Sequence, residues 1–255
     1  MNFNADFLTY KPIFEPKEIE ILDSINQTLS LQEFRKNRNL IDKFGFDFVY
    51  TSAKIEGNTY SRADALTLLE YGKTSGGKSY SDAKMLFNLN KAFGFILSDD
   101  CIINKHKIRT LHHILAIDLV DDANLGVVRE KGVLIAGSQY IPASDTLTLE
   151  SQMDRVLEIA QSIDNPYDKA LYLHNNLAYL QYFVDVNKRT ARTMLNLSLI
   201  CDKKMLLIPQ EELIGTYVEG ILEYYEYGTN LKSKEFFIRS YQAMERELKE
   251  IGYGD

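Results

Sequence analysis

The sequence predicts a mainly α-helical fold with one short β-hairpin. Apolar residues recur at three- and four-residue steps along most of the chain. Helix-start signals stand before several of these runs, and strand-like alternation is confined to one stretch around residue 135. Strand and helix patterns nowhere alternate as a doubly wound sheet requires. The 255 residues, 45% of them hydrophobic, suffice for one large domain or two small ones. The expected division is an N-terminal helical region over 1–100, a core over 101–205, and C-terminal helices over 206–255 in one compact unit with the core.

Taken in order, the elements are justified as follows. Phe48, Ser52 and Ile55 share a helix face near 46–57, and Gly57 is a C-terminal stop. Ser61 with Asp64 resembles a capping box opening a helix at Ala63–Tyr71. Asn104 caps a run whose face is Ile108, Leu111, His112 and Leu115. The alternation from Val133 to Pro142, with a turn at Gly137-Ser138, predicts the hairpin. Met153, Val156, Leu157, Ala160 and Ile163 line another helix. Asn165-Pro166 opens the next, with Asn as cap and Pro at the first helical position. Its single buried face is Ala170, Leu173, His174, Leu177 and Leu180, and it frays near Phe183. A tight turn from Asp185 to Lys188 precedes a helix restarting at Ala191, Met194, Leu195 and Leu199. Leu213, Tyr217, Ile221, Leu222 and Tyr225 form a further face.

Composition excludes several functions. A net charge of −7 and no basic stripe argue against non-specific nucleic-acid binding. Cys101 and Cys201 form no Cys-x-x-Cys, so neither a disulfide framework nor a zinc site is expected, and a reducing cytoplasm is. The start lacks a charged region followed by an apolar run, and no stretch of about 18 apolar residues exists to span a membrane. His106, His112, His113 and His174 lack metal-ligand spacing and read as core or surface residues. Gly72 to Ser79 satisfies the P-loop pattern. Ala65–Tyr71 and Phe93–Leu97, ending at Asp99, imitate the strands that a P-loop needs. Without strand–helix alternation the stretch Lys73 to Ser81 reads as a linker.

The most informative segment is 181–192, Gln-Tyr-Phe-Val-Asp-Val-Asn-Lys-Arg-Thr-Ala-Arg. It places Lys188, Arg189 and Arg192 in five positions of an acidic protein, at a helix start. Unpaired N–H groups and the helix dipole attract anions there. The plain alternative is a solvated basic helix end. Flanking Asp185 and Asn187, together with a buried preceding helix, favour a polyphosphate site. Asp185 offers a hard oxygen ligand suited to Mg²⁺, and Asn187 an amide donor. Gln181 stands where a general base is wanted and takes no proton near neutral pH.

These residues resemble the Fic family motif, His-x-Phe-x-Asp/Glu-Gly-Asn-Gly-Arg-x-x-Arg. Phe183, Asp185, Asn187, Arg189 and Arg192 fall on matching positions, while Gln181, Val186 and Lys188 replace the His and the two Gly. A lysine at the second glycine is similar to the Doc branch. Ser52-Ala53-Lys54-Ile55-Glu56-Gly57 resembles the family's inhibitory motif, with Ser52 and Glu56 on its named positions. Gly126 to Arg129 and Val133 to Pro142 resemble its flap, whose Val133, Leu134 and Ile135 are then the target-binding edge.

The resemblance implies a Fic-type helical bundle that uses ATP and Mg²⁺ to move AMP onto a hydroxyl of a target protein presented to the flap. It makes Gln181, Asp185, Asn187 and Arg189 the catalytic positions, Asp185 the metal ligand, and Asn187, Lys188, Arg189 and Arg192 the nucleotide ligands. Glu56 is implied to hold Arg192 away from the γ-phosphate. Losing a general base typically costs about 10²–10⁴-fold, so transfer is expected to be weak or lost. Val186 resists the positive φ that glycine adopts freely. Two classes stay open: a weak or redirected transferase, including Doc-like phosphoryl transfer, and a non-catalytic nucleotide-binding regulator.

Overall fold

A computed structural model of the chain describes residues 1–28, 30–74, 76–98 and 101–252. Among them run eleven α-helices. They are α1 (Pro16–Thr28), α2 (Leu31–Lys36), α3 (Arg38–Ile55), α4 (Arg62–Tyr71), α5 (Tyr80–Leu97), α6 (Lys105–Ala116), α7 (Thr146–Gln161), α8 (Pro166–Leu180), α9 (Asn187–Cys201), α10 (Ile214–Tyr227) and α11 (Leu231–Glu250). No helix is long and apolar enough to cross a membrane among these residues.

The sequence signals for helix starts hold at atomic level. The side chain of Asn104 accepts from the Lys107 N–H, that of Ser61 from Asp64, and that of Asn165 from Tyr167 and Asp168. Gly57 adopts φ 82° just past α3, the conformation that a side chain would strain. The P-loop-like stretch lies between two helices: Gly72 closes α4 in the left-handed region and Ser79 caps α5. Ala65–Tyr71 and Phe93–Leu97 are therefore helical, and no strand stands before the glycines. Ser75 and Asp99 lie outside the described residues.

The helix pair α8–α9 occupies the centre. Helices α7, α10 and α11 pack on α8, α5 and α6 on α9, and α3 contacts α5 and α10. The expectation of one buried face on α8 needs correction. Apart from Pro166 and Lys169, every residue of α8 is buried, and apart from Lys188 and Cys201 so is every residue of α9. Neighbours on all sides make this possible because the polar side chains bond inside the protein. Asn196 pairs with both backbone groups of Leu207, at 3.0 and 2.7 Å. Thr190 and Thr193 donate to the carbonyls of Val186 and Arg189 one turn back.

The expected hairpin keeps its turn and loses its pairing. Gly137 has φ 81°, and the Ser138 N–H reaches the Ile135 carbonyl at 3.3 Å. No strand ladder forms between the two arms among the described residues. The far arm pairs instead with the start of the chain, where Ile141 N–H donates to Met1 O (2.7 Å) and Phe3 N–H to Ile141 O (2.9 Å). Tyr140 explains the preference. Its ring stacks on Tyr179 at 4.4 Å and its hydroxyl donates to the Tyr179 carbonyl, pinning that arm to α8. Leu134 is 88% exposed, whereas Val133 and Ile135 are half-buried and Ile135 packs against the core.

Candidate functional site

Residues 181–186 join α8 to α9 through two left-handed residues. Gln181 ends α8 at φ 46°, and Val186 caps α9 at φ 64°. A β-branched residue in this region is an outlier that costs about 1–3 kcal/mol and persists where its surroundings over-determine it. Those surroundings are visible. Val186 is buried and its N–H donates to Asp185 Oδ1 at 2.6 Å. Asn187 closes the loop from within, accepting from Phe183 N–H (2.9 Å) and donating to the Phe183 carbonyl (2.9 Å) and Gln181 Oε1 (3.2 Å).

Two side chains brace this loop from outside. His112 stacks on Phe183 with centroids 3.7 Å apart. Its Nδ1 accepts from Gly126 N–H at 2.9 Å, which leaves the proton on Nε2 to donate to the Asp185 carbonyl at 3.2 Å. Burial pushes this imidazole down to about 4, so it is neutral at pH 7. Gly126, at φ 68°, must be glycine: a Cβ there would lie 2.8 Å from the Arg109 carbonyl. Arg129 is 1% exposed and donates to the carbonyls of Gln181 (2.5 Å), Lys131 (2.6 Å) and Ala143. One guanidinium thus ties the loop to both roots of the flap segment.

The three cations differ in their partners. Arg189 is 6% exposed, its Nε and Nη1 have no acceptor, and its nearest anion is Asp185 at 3.8 Å. The N–H groups of Asn187, Lys188 and Arg189 likewise find no acceptor among the described residues, as expected for the first turn of a helix. Arg192 is satisfied at its Nη atoms: Nη2 meets Glu56 Oε1 at 2.8 Å and the Ser52 carbonyl at 3.2 Å, and Nη1 meets the Tyr217 hydroxyl at 2.8 Å. Lys188 Nζ lies 3.3 Å from the other oxygen of Glu56. Burial works to raise the Glu56 pKa, but Arg192, Lys188 and Arg189 outweigh it and hold the carboxyl below its ordinary range.

No group at the loop is set up as a base. The Gln181 amide donates to the Ala178 carbonyl (2.8 Å) and the Tyr225 hydroxyl (3.2 Å) while its oxygen accepts from Asn187, so its orientation is fixed. Burial raises the Tyr225 hydroxyl well above its usual value. Asp185 leaves its carboxylate 68% exposed. No cluster of three or more His, Cys, Asp or Glu exists among the described residues. One open carboxylate beside unpaired N–H donors fits Mg²⁺, which is commonly held by one or two carboxylates with phosphate oxygens and water.

The sequence-predicted residues come together with one exception. Gln181, Asp185, Asn187, Lys188, Arg189 and Arg192 form the loop, and Glu56 and Ser52 reach it from the end of α3. Ser52 does so through its carbonyl, while its hydroxyl is buried without a partner. Val133, Leu134 and Ile135 stand apart, linked to the loop through Arg129. The supporting roles of Arg129, Tyr217 and His112 were not readable from the sequence. The sole hint was a charged residue beside an apolar run at Arg129 and polar residues on apolar helix faces at the other two.

This is a helical protein with a cation-rich turn at its centre. Residues 102–199 match the Fic/DOC family. Over that stretch the chain is similar to the Fic/DOC family, and its fold agrees with solved structures described as Fic proteins. A Fic family protein from Desulfovibrio desulfuricans superposes with a TM-score of 0.79 at 18% identity, covering 95% of this chain and 77% of that one. A Fic domain signaling protein from Bacteroides thetaiotaomicron gives 0.71 at 23% identity, covering 91% and 97%. Protein adenylyltransferase fic-1 of Caenorhabditis briggsae is 27% identical over 190 residues, 69% of this chain. That match spans 36% of the relative's own length.

Proposed function

We propose that the chain binds ATP with Mg²⁺ in the 181–192 loop, and that it acts as a restrained Fic-type transferase moving AMP onto a hydroxyl of a target protein. The observation that carries this reading is Arg189: a buried guanidinium with two unsatisfied nitrogens beside the open N–H groups of a helix start. Lys188 and Arg192 would supply further charge, and Asp185 would hold the metal, whose charge would help neutralise the phosphates. Asn187 keeps the loop closed and presents the backbone donors. Val133, Leu134 and Ile135 offer open main-chain groups to which an extended target segment adds as a strand.

Two features restrain the transfer. Gln181 orients a hydroxyl without removing its proton. Glu56 occupies Arg192 and Lys188, and Ser52 contributes the carbonyl that completes this hold. The phosphates need both cations, so Glu56 acts as an internal inhibitor. One charge-assisted contact is worth about 1.5–3 kcal/mol, so Glu56→Gly should tighten ATP binding tenfold or more. Calorimetry with Mg²⁺ and ATP on the parent, Glu56→Gly and Arg189→Ala tests the site. No binding in any of the three removes the reading.

Lys188 favours a second reading, Doc-like transfer of the γ-phosphoryl group, because its ammonium replaces a bare backbone at the cradle. ATP labelled separately at the α- and γ-phosphate, incubated with Glu56→Gly protein and lysate, separates the two. Label moving from the α-position supports AMP transfer, label moving from the γ-position alone supports phosphoryl transfer, and binding without either leaves a nucleotide-binding regulator. Gln181→His should restore part of any AMP transfer. Adding Val186→Gly and Lys188→Gly should exceed the single change by more than the sum of parts, since groups acting as a unit are non-additive.

A further inference from the structure

Behind Arg192 runs a chain of hydrogen bonds that the proposed chemistry does not use. Arg192 Nη1 lies 2.8 Å from the Tyr217 hydroxyl, which lies 3.2 Å from His174 Nε2. His174 Nδ1 lies 2.8 Å from Asn175 Oδ1, and Asn175 Nδ2 lies 2.7 Å from Asn230 Oδ1. Arg192, Tyr217, His174 and Asn175 are all buried, and the chain crosses from α9 through α10 and α8 to the residue before α11.

The direction of every link follows from the first. A guanidinium has no acceptor, so the Tyr217 oxygen accepts from Arg192. The one hydroxyl proton then goes to His174 Nε2, which must carry a lone pair. The imidazole proton is therefore on Nδ1 and is donated to the Asn175 oxygen, whose amide nitrogen donates onward to Asn230. The arrangement needs a neutral His174, and burial pushes this imidazole down to about 4. The guanidinium carbon also lies 5.2 Å from the Tyr217 ring centroid.

We infer that Tyr217 is a positioning residue for Arg192: it anchors Nη1 so that Nη2 is the end offered either to Glu56 or, once Glu56 leaves, to a phosphate. This rests on the proposed role of Arg192 as a phosphate ligand. His174 acts one step further back, fixing the direction of the Tyr217 hydroxyl.

Two readouts test it. In ligand-free protein carrying Glu56→Gly, ¹⁵N spectra of arginine side chains should show distinct Nη1 and Nη2 signals for Arg192. Tyr217→Phe should merge them, His174→Leu should broaden them, and His174→Gln, which keeps an acceptor, should preserve them. In calorimetry, Tyr217→Phe in the Glu56→Gly background should weaken Mg²⁺–ATP binding about tenfold, the size of one lost hydrogen bond to a charged group. That loss should vanish once Arg192→Ala is added, which a general structural defect would not do. Persistent separate signals in Tyr217→Phe, or an undiminished loss without Arg192, overturns the assignment. Merged signals with no nucleotide binding in any variant support the anchoring of Arg192 and remove the nucleotide reading instead.

Discussion

The α8–α9 turn and the flap segment 129–143 are joined by one arginine yet organised in opposite ways. In the turn, Tyr182, Phe183, Val186, Asn187 and Arg189 are buried, and most backbone polar groups are answered by Asn187, His112 or Arg129. Its unanswered groups are those of Arg189 and the first N–H groups of α9. In the flap, the near arm has no ladder among the described residues and Leu134 stands in water. The comparison teaches that the same chain fixes one segment through buried hydrogen bonds and leaves the other largely to solvent. A ligand at the fixed segment would bind with little ordering cost, while a partner of the open one would have to repay the freedom lost on docking.

Three experiments break or sharpen this contrast. The largest effect belongs to Arg129→Met, which removes the shared anchor and strands the carbonyls of Gln181, Lys131 and Ala143. Urea denaturation should show a loss of about 3–4 kcal/mol. Hydrogen exchange should quicken over 131–143 more than within α8. Equal acceleration in both regions would mean that the two are not separable.

Next comes pH. His112 and His174 are held down to about 4 in the folded protein, whereas in the unfolded chain they titrate near 6.5. The unfolded state therefore binds more protons between these values, and stability falls as pH drops through this window. Each histidine should account for about 3 kcal/mol over the full range. The loss of the lowered Glu56 carboxylate follows at still lower pH. His174→Gln should flatten the stability profile between pH 6.5 and 4 by roughly half. An unchanged slope would show that the imidazole is not the group excluded from protonation.

The smallest effect on the fold is expected from Leu134→Asp. With the side chain in solvent, stability should stay within about 0.5 kcal/mol of the parent. Nucleotide binding should be unaffected, and label transfer to a protein target should drop. A large stability loss would place the flap edge in a packed state that this structure does not contain.

Local signals carried the helices and the loop. Asn104, Ser61 and Asn165 cap helices because capping involves residues two or three positions apart, which a sequence displays directly. The ligands of Arg192 lie far from it in sequence: Glu56 was legible through the family motif, whereas Tyr217, on another helix, showed only as a polar residue on an apolar face. The one-sided reading of α8 failed because His174, Asn175 and Asn176 find partners inside, so polarity did not mark an exposed face. The hairpin failed for the opposite reason. Alternation reports that a segment suits a sheet, but the partner for Ile141 turned out to be the chain start.

Glu56 deals with its two cations through separate oxygens, Oε1 for Arg192 and Oε2 for Lys188. This division bears on selectivity by valency. A monovalent anion that draws off Lys188 leaves the carboxylate bonded to Arg192 and returns nothing for the bond it has not replaced. Bulk salt is also a poor key, since ionic atmosphere screens buried pairs much less than exposed ones. A ligand that bears several negative oxygens at fixed spacing compensates both partings within one binding event. In the inhibitory role proposed above, Glu56 would release both cations together only to an anion of several charges.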